Sequence, residues 1–452
     1  MDAKLIVDEV RLTPILISDP PLLNVQGVHQ PYTPRLVVEV ITRGGVSGLG
    51  ETYGDGVYLD LARPLAKALP GRSITDVNAL FALADETADP GGRASDEAGP
   101  AAAPEAAPEA ASAAALAVAL EAGVDAGGLR GVRTAEKLRL SVVSAFETAC
   151  LDALGRTLGL PVHALLGGKV RDSVEYSAYL FHRWATHPGG GPVDDWGAAL
   201  DPAGIVAQAR RFDRAYGFRS FKLKGGVFAP EQEIAAIRAL AEEFPGRPLR
   251  LDPNGAWSVE TSLAVARELG DVLEYLEDPA SGTGAMAEIA AGTEVPLATN
   301  MCVTTFEEVP EAFAKGAVRI VLCDHHYWGG LGRTRELAAL CRTYGVGLSM
   351  HSNTHLGISL AAMTQVAATL PELRHACDTH YPWQTEDVVT TRPVFRDGRL
   401  AVSDAPGLGV ELDREALETL HRRWREDDGR YRDRDDAAAM RAANPEWRPR
   451  RW

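Results

Sequence analysis

The sequence lacks the features that mark secreted and membrane proteins. Its 452 residues include only five cysteines, which are scattered and form no C-x-x-C pair, so we predict reduced, buried thiols. No apolar run approaches the roughly 18–20 residues that a membrane span requires. The N-terminus carries acidic residues and no apolar segment of the kind found in secretory signals. We therefore expect a soluble cytoplasmic protein with no membrane contact.

Positive charge is also scarce. Lysine and arginine number 46 against 62 aspartates and glutamates, which gives a formal net charge of −16 and disfavours a nucleic-acid partner. The chain has no G-x-x-x-x-G-K-[ST] and no G-x-S-x-G, and the glycine-rich stretch at 44–51 does not match G-x-G-x-x-G. If the substrate is a small acid, its site needs local positive charge from lysines and a bound cation.

What the chain does contain is a regular alternation of strand and helix patterns after about residue 140. Hydrophobic residues make up 46% of the chain, enough for a large core. Five short apolar runs each end in charged or polar residues, at 221–226, 249–255, 275–279, 296–300 and 347–353. Strands separated by one helix each favour an α/β fold of the (β/α)8 TIM-barrel type over an open sheet, with the strand around 374–380 closing the ring.

The N-terminal part has a different pattern. Alternating β-branched runs at 3–20 and 34–52 predict an antiparallel sheet. An Ala- and Pro-rich stretch at 87–128 has too few large apolar side chains for a core of its own and is predicted to be a surface insertion. We predict three parts, namely an α+β capping domain (1–140), the barrel (141–400) and a C-terminal tail that returns to the capping domain (401–452).

Two lysines lie at the end of one predicted barrel strand. Lys222 and Lys224 are two residues apart, so their side chains share one face of the strand. Two neighbouring ammonium groups repel, which predicts a lowered pKa for each and a base near neutral pH. The alternative is a pair of surface lysines on an edge strand. The flanking Phe221 and Leu223 and the two glycines that follow favour the barrel mouth.

Three oxygen-bearing residues fall at the ends of the next three strands. Asp252, Glu277 and Asn300 are separated by one strand–helix unit each, so their side chains can meet at one point. Hard oxygen ligands that leave positions open for substrate and water favour Mg²⁺ over zinc. Each residue alone fits a helix cap equally well. The recurrence over three strands favours the metal site, and with the lysines it suits proton abstraction beside a metal-bound carboxylate.

A histidine and an aspartate end two later strands. An Asp324 carboxylate bonded to one ring nitrogen of His351 would orient the imidazole and make it an acid or base opposite the lysines. The alternative takes His351 and His355 as zinc ligands, together with His325 and His326. That signal is weak, because the H-x-x-x-H spacing here lacks the glutamate of a metalloprotease helix.

Together these motifs resemble the enolase superfamily, mandelate racemase subgroup, and within it the glucarate dehydratases. The similarity runs nearly end to end, through NVQGVHQPY, AFETACLDALGRTLGLPVHALLGG, FKLKGG, LDPNGAW, YLEDP, ATNM, SMHSNTHLGISL and RDDAAAM. A K-x-K pair followed by Asp, Glu and Asn ligands is specific, and asparagine as the third ligand is typical of the glucarate dehydratases. The resemblance implies a hydro-lyase acting on a six-carbon diacid sugar.

The resemblance also assigns roles to residues. It implies Lys224 as the base that removes the proton α to a carboxylate, with Lys222 contacting that carboxylate. It implies Mg²⁺ on the three oxygen ligands, and His351 with Asp324 as the opposite acid or base, which protonates the departing β-hydroxyl. The substrate contacts that it implies are His29, Tyr179, Phe181, Asn254, Asn300, His380 and Arg434.

The chain departs from the family pattern in three places. These are the Ala- and Pro-rich insertion, the short ASGTGAM loop after Glu277, and HHYWGG after Asp324 where the family commonly has proline. The last two flank the barrel mouth and bear on the substrate more than on the reaction. The alternatives are a racemase or epimerase, a dehydratase of galactarate or an aldonate, a non-catalytic sugar-acid binder, and a zinc hydrolase. We also expect a homo-oligomer.

Overall fold

The protein is represented by a computed structural model, which describes residues 3–88 and 134–452. Most of the predicted insertion at 87–128 lies outside these residues. No helix within the described ranges is long and apolar enough to span a membrane.

The N-terminal part contains the predicted antiparallel sheet, in the order β1-β4-β5. Helix α3 (Ala135–Leu158) packs on this sheet and ends before Gly159, which adopts the left-handed conformation (φ 69°) common at helix C-termini. Gly48 and Gly50 allow the close approach, since a Cβ at either position would collide with the α3 backbone. The elements of this part are β1 (Val7–Ser18), β2 (Leu23–Asn24), β3 (Gly27–Val28), β4 (Tyr32–Thr42), β5 (Ser47–Tyr53), α1 (Gly56–Ala68), α2 (Val77–Ala88), α3 (Ala135–Leu158) and α4 (Val162–Leu165).

The predicted parallel barrel follows, and strands alternate with helices along the chain. Its elements are β6 (Ser173–Phe181), α5 (Pro202–Tyr216), β7 (Phe221–Lys224), α6 (Pro230–Glu243), β8 (Leu249–Asp252), α7 (Val259–Leu269), β9 (Leu273–Glu277), α8 (Thr283–Gly292), β10 (Leu297–Thr299), α9 (Val309–Ala314), β11 (Ile320–Cys323), α10 (Leu331–Tyr344), β12 (Gly347–Met350), α11 (Gly357–Ala367) and β13 (Cys377–Thr379).

The eight barrel strands are hydrogen-bonded in the order β12-β11-β10-β9-β8-β7-β6-β13, with parallel neighbours. The ring is nearly closed between β12 and β13, where Leu348 and Leu373 form one bridge and the Ser349 hydroxyl donates to the Ala376 carbonyl over 2.9 Å. After β13 the chain forms a 3-10 turn and strand β14 (Arg399–Ala401), which pairs antiparallel with β6. The barrel therefore has seven strand–helix units and a final strand.

The C-terminal tail returns to the N-terminal sheet, as the sequence predicts. Helix α12 (Arg414–Glu426) packs against β1, and Arg414 forms an ion pair of 2.6 Å with Glu39 on β4. A short helix, α13 (Ala438–Ala443), lies beside β3. The exact division into capping domain, barrel and tail stays a prediction.

A buried carboxylate on α3 joins this helix to the barrel. Glu147 accepts hydrogen bonds from the backbone amides of Leu331 (3.0 Å) and Gly332 (2.9 Å), at the start of α10. Burial raises the pKa of Glu147 to about 7, against the opposing effect of these bonds. Since this pKa is higher in the folded state than in the unfolded chain, the folded protein holds the proton more tightly. The contribution of Glu147 to stability is therefore lost as pH rises through about 7.

We expect Glu147→Gln to be less stable than the wild type at pH 5, because an amide cannot accept both backbone bonds as well. The difference in free energy of unfolding between the two proteins should narrow by ~3 kcal/mol by pH 8, where only the wild type must bury a charge. Urea unfolding of both proteins at the two pH values measures this change. Glu260→Gln, on the exposed start of α7, is the control. Its difference in unfolding free energy from the wild type should be the same at both pH values. The same stability difference at both pH values for Glu147→Gln would contradict the raised pKa of Glu147.

Candidate active site

The predicted catalytic and metal-binding residues all lie at the C-terminal ends of the barrel strands, or just beyond them. Alternation along β7 directs both lysines inward, as predicted. The three oxygen ligands lie at the ends of the consecutive strands β8, β9 and β10. Each of these side chains is at least 98% buried: Lys222, Lys224, Asp252, Glu277, Asn300, Asp324 and His351.

Lys222 is held by three carboxylates. Its Nζ lies 2.6 Å from Glu277 Oε1, 2.7 Å from Asp378 Oδ2 and 3.3 Å from Asp252 Oδ2. Burial alone would lower the pKa of Lys222, but attraction to Asp378 and Glu277 outweighs burial and raises the pKa well above its ordinary value. The predicted lowering of the Lys222 pKa by its lysine neighbour was therefore wrong. The prediction left out the carboxylates that other strands bring to the same point.

Lys224 has a simpler environment. Its Nζ lies 2.6 Å from Asp252 Oδ2 and 5.6 Å from the centre of the Tyr179 ring. Lys224 also lines the cavity at the barrel mouth, whereas Lys222 lies one layer deeper. Of the two amines, Lys224 is the one that can reach a substrate.

The oxygen ligands leave acceptor atoms for a cation. Among the described residues, Glu277 Oε2 and both polar side-chain atoms of Asn300 are buried without a hydrogen-bond partner. Burial and repulsion from Asp252 raise the pKa of Glu277 well above its ordinary value. Clustered buried carboxylates are costly unless a cation neutralises them. Two carboxylates and an amide oxygen therefore fit a Mg²⁺ ion.

Asp278, which the sequence analysis did not single out, supports the third ligand. Its carboxylate accepts hydrogen bonds from the Asn300 backbone amide (2.8 Å) and the Thr299 hydroxyl (2.5 Å). Burial and repulsion from Asp252 raise the pKa of Asp278 to about 7. Asp278 thus holds the turn after β10 that carries Asn300. Its position next to Glu277 is the sequence feature from which it could have been predicted.

Asp324 and His351 form the predicted pair. His351 Nδ1 lies 3.1 Å from Asp324 Oδ2. Burial alone would raise the pKa of Asp324, but attraction to His326 and hydrogen bonds from the surrounding histidines hold it well below its ordinary value. Because this carboxylate only accepts, Nδ1 of His351 carries the hydrogen and Nε2 is the nitrogen that can take up a proton. Burial lowers the pKa of His351, so its imidazole is neutral in the resting protein.

The other histidines near Asp324 bear on the zinc alternative. Metal-binding atoms of Asp324, His326 and His355 all lie within 4.8 Å of one another. However, both ring nitrogens of His326 already contact protein oxygens, at 2.8 Å from Asp324 Oδ1 and 3.0 Å from the Glu51 carbonyl. A zinc ion would have to displace one of these contacts. The geometry therefore favours a role for His326 in supporting Asp324, and disfavours a role as a metal ligand.

A small cavity lies between the strand ends and the N-terminal part. Four of the predicted substrate-binding residues line it together with both predicted proton-transfer groups. The lining residues are His29, Tyr179, Phe181, Lys224, His351, Ser352, Asn353 and His380. Ser352 and Asn353 were not predicted, although they directly follow His351 in the sequence.

Three predicted substrate contacts do not line this cavity, namely Asn254, Arg434 and Asn300, the third oxygen ligand. Asn254 lies beyond β8, where its side-chain nitrogen is 3.1 Å from the sulfur of Met301. Arg434 approaches from the tail, with Nη2 3.8 Å from Asp19 Oδ2. The same Asp19 oxygen lies 3.2 Å from His29 Nδ1, so this buried carboxylate gathers Arg434 and His29 at one end of the cavity.

Asp19 and Asp378 are two further charged residues, besides Asp278, that the sequence analysis missed. Asp378 lies in the predicted closing strand, two residues before His380, so the alternation used for the lysines could have placed it inside the barrel. Asp19 follows β1 directly, in the N-terminal sheet. No local pattern marked Asp19, because its partners come from other parts of the chain.

Comparison with known proteins agrees with this architecture. The family model described as "Enolase C-terminal domain-like" matches residues 204–416. A probable glucarate dehydratase of Streptomyces coelicolor is 69% identical over 449 residues, which cover 99% of this chain and 98% of that protein.

Solved structures give the same result. An enolase from Thermobispora bispora, complexed with magnesium and formate, is 50% identical with a TM-score of 0.89 and covers 99% of both chains. An enolase from Pseudomonas fluorescens, with bound magnesium, potassium and tartrate, is 43% identical with a TM-score of 0.88 and covers 98% of both chains. The chain therefore belongs to the enolase superfamily and is similar to glucarate dehydratase over almost its whole length.

Proposed function

We propose that this protein is a Mg²⁺-dependent dehydratase that converts D-glucarate into 5-keto-4-deoxyglucarate. The observation that carries the proposal is the convergence of three oxygen ligands, an amine and an imidazole at the mouth of one barrel. The relative with 69% identity, a probable glucarate dehydratase, supports the same reaction.

The first step removes a proton from the carbon next to a substrate carboxylate. Mg²⁺ on Asp252, Glu277 and Asn300 would supply the positive charge that stabilises the resulting enolate. Lys224 takes the proton and must first be uncharged. Asp252 Oδ2 lies 2.6 Å from the Lys224 Nζ and holds this amine at the edge of the cavity. Lys222 stays charged and contributes positive charge below the reacting carbon.

The second step breaks the C–O bond of the β-hydroxyl. The electron pair of the former C–H bond forms the C=C bond, and the hydroxyl leaves as water after taking a proton. His351 first takes up a proton from solvent at Nε2 and then donates it to the departing hydroxyl, while Asp324 stabilises the intervening imidazolium through Nδ1. The enol product then ketonises to the keto acid.

A diacid substrate needs a polar partner at each end. Asp19, His29 and Arg434 form one polar cluster at the cavity, and His380 stacks on His29 with ring centres 5.9 Å apart. The guanidinium and the imidazole donors suit a second carboxylate. The neighbour from Pseudomonas fluorescens binds tartrate, a smaller diacid, which supports a diacid for this cavity as well.

Epimerisation is a second candidate outcome. Lys224 is the last residue of β7 and His351 directly follows β12, three places away in the eight-stranded ring, so the two side chains approach the cavity from different sides. Two proton-transfer groups on opposite faces of one carbon would permit inversion as well as elimination.

A panel of acid sugars tests the proposal. With Mg²⁺ present, we expect keto-acid formation from D-glucarate at a kcat/KM at least ~100-fold above that for D-gluconate, because the monoacid has no second carboxylate to bind the guanidinium and imidazole donors. Galactarate and L-idarate test the stereochemistry, and proton exchange in ²H₂O without keto-acid formation would indicate an epimerase. No turnover and no exchange with any acid sugar would contradict the proposal and favour a non-catalytic binder.

A further inference from the structure

A second polar cleft lies at the opposite end of the barrel, where strands β6 to β9 begin. It encloses about 770 Å³ and is open to solvent. We name it the basal cleft and define it by its charged lining and one histidine: Arg171, Glu175, Arg250, Glu274, Arg374, His375 and Arg399. None of these residues belongs to the proposed active site.

The basal cleft is positively charged in an acidic protein. Four arginines face two glutamates, whereas the whole chain carries a net charge of −16. Arg399 pairs with Glu175 over 3.0 Å. Arg171 instead donates to the backbone carbonyls of Leu370 (2.7 Å) and Leu373 (3.0 Å), and within the described residues it forms no ion pair closer than 4 Å. This concentration of positive charge attracts small anions.

Arg250 provides a buried guanidinium at the base of the cleft. It is fully buried, and it donates to Glu274 Oε2 (2.7 Å) and the Ala376 carbonyl (2.8 Å). In the part of the chain that the structure describes, its Nη2 has no hydrogen-bond partner. A buried N–H of a charged group that makes no bond is costly, so this atom requires an acceptor.

We propose that the basal cleft binds a small oxyanion of the phosphate class. Planar guanidinium groups form paired hydrogen bonds to phosphate oxygens, and the lining carries more arginines than glutamates, although Asp378 Oδ1 lies 3.6 Å from Arg250 Nη1. A small carboxylate shares part of this chemistry but carries one charge and two oxygens. This site does not depend on the proposed dehydratase activity, because it lies at the other end of the barrel.

Calorimetric titration of the metal-free protein with inorganic phosphate, at constant ionic strength, tests the proposal. Removing Mg²⁺ excludes binding of phosphate to a metal ion at the proposed active site, and Arg374→Glu tests whether the binding that remains occurs in the basal cleft. We expect saturable binding that is at least ~10-fold weaker for Arg374→Glu, an exposed residue at the rim of the cleft. Arg214→Glu, exposed on α5 and outside the cleft, makes the same charge change and should bind phosphate like the wild type.

Acetate, titrated under the same conditions, separates the two anion classes, and we expect it to bind more weakly than phosphate. Arg399→Gln provides a second variant that lowers the charge of the cleft without reversing it, and it should also weaken binding. Absence of phosphate binding to the wild type, or equal binding to the wild type and Arg374→Glu, would overturn the proposal. Neither result depends on turnover of an acid sugar.

Discussion

Replacing Lys224 with alanine is expected to lower keto-acid formation from D-glucarate by about 1,000-fold, because it removes the base that takes the α-proton. The fold should persist, since Lys224 lies at the cavity and Lys222 remains to partner the buried carboxylates. Loss of the ammonium beside Asp252 should tighten Mg²⁺ binding. Keto-acid assays, circular dichroism and calorimetric Mg²⁺ titration measure the three properties.

Two further variants separate the roles of charge and base. Lys224→Arg keeps the positive charge, but a guanidinium does not release its proton near neutral pH, so we expect it to be as inactive as the alanine variant. Lys315→Ala, at an exposed lysine on the outside of the barrel, should have normal activity. Near-normal turnover by Lys224→Ala would show that another group removes the proton.

The second large effect is expected for Glu277→Gln. This change removes one of the two carboxylates of the proposed metal site and should weaken Mg²⁺ binding about 100-fold, with a matching loss of activity at low Mg²⁺. At a Mg²⁺ concentration of 100 times the wild-type Kd, the ion should stabilise the wild type by ~2.7 kcal/mol. It should stabilise the variant by only ~0.4 kcal/mol, as measured by unfolding with and without Mg²⁺.

Glu288→Gln is the control, because Glu288 is exposed on α8, beside the same strand. Mg²⁺ should stabilise this variant as much as it stabilises the wild type. Metal analysis of the purified wild type adds an independent readout, since zinc in place of magnesium would favour the hydrolase alternative. A Glu277→Gln variant that binds Mg²⁺ as tightly as the wild type would contradict the assignment of this ligand.

Local pattern was sufficient for the positions of the site residues but not for their charge states. Alternation along a four-residue strand placed Lys222 and Lys224 on one face. The protonation of Lys222 depends on Glu277 and Asp378, which lie 55 and 156 residues further along the chain. Electrostatic interactions depend on distance in space, so a prediction made from neighbours in sequence had the wrong sign.

The sequence by itself determined the order of strands and helices, the barrel, and the strand ends that carry charged residues, because these follow from hydrophobic periodicity and chain connectivity. Only the tertiary structure decided which buried groups support the site. Asp19 meets His29 and Arg434, Asp278 supports the turn of Asn300, and Arg250 lies buried at the base of a positively charged cleft. These contacts join segments far apart in the chain, and their energies arise from burial and proximity that no local pattern encodes.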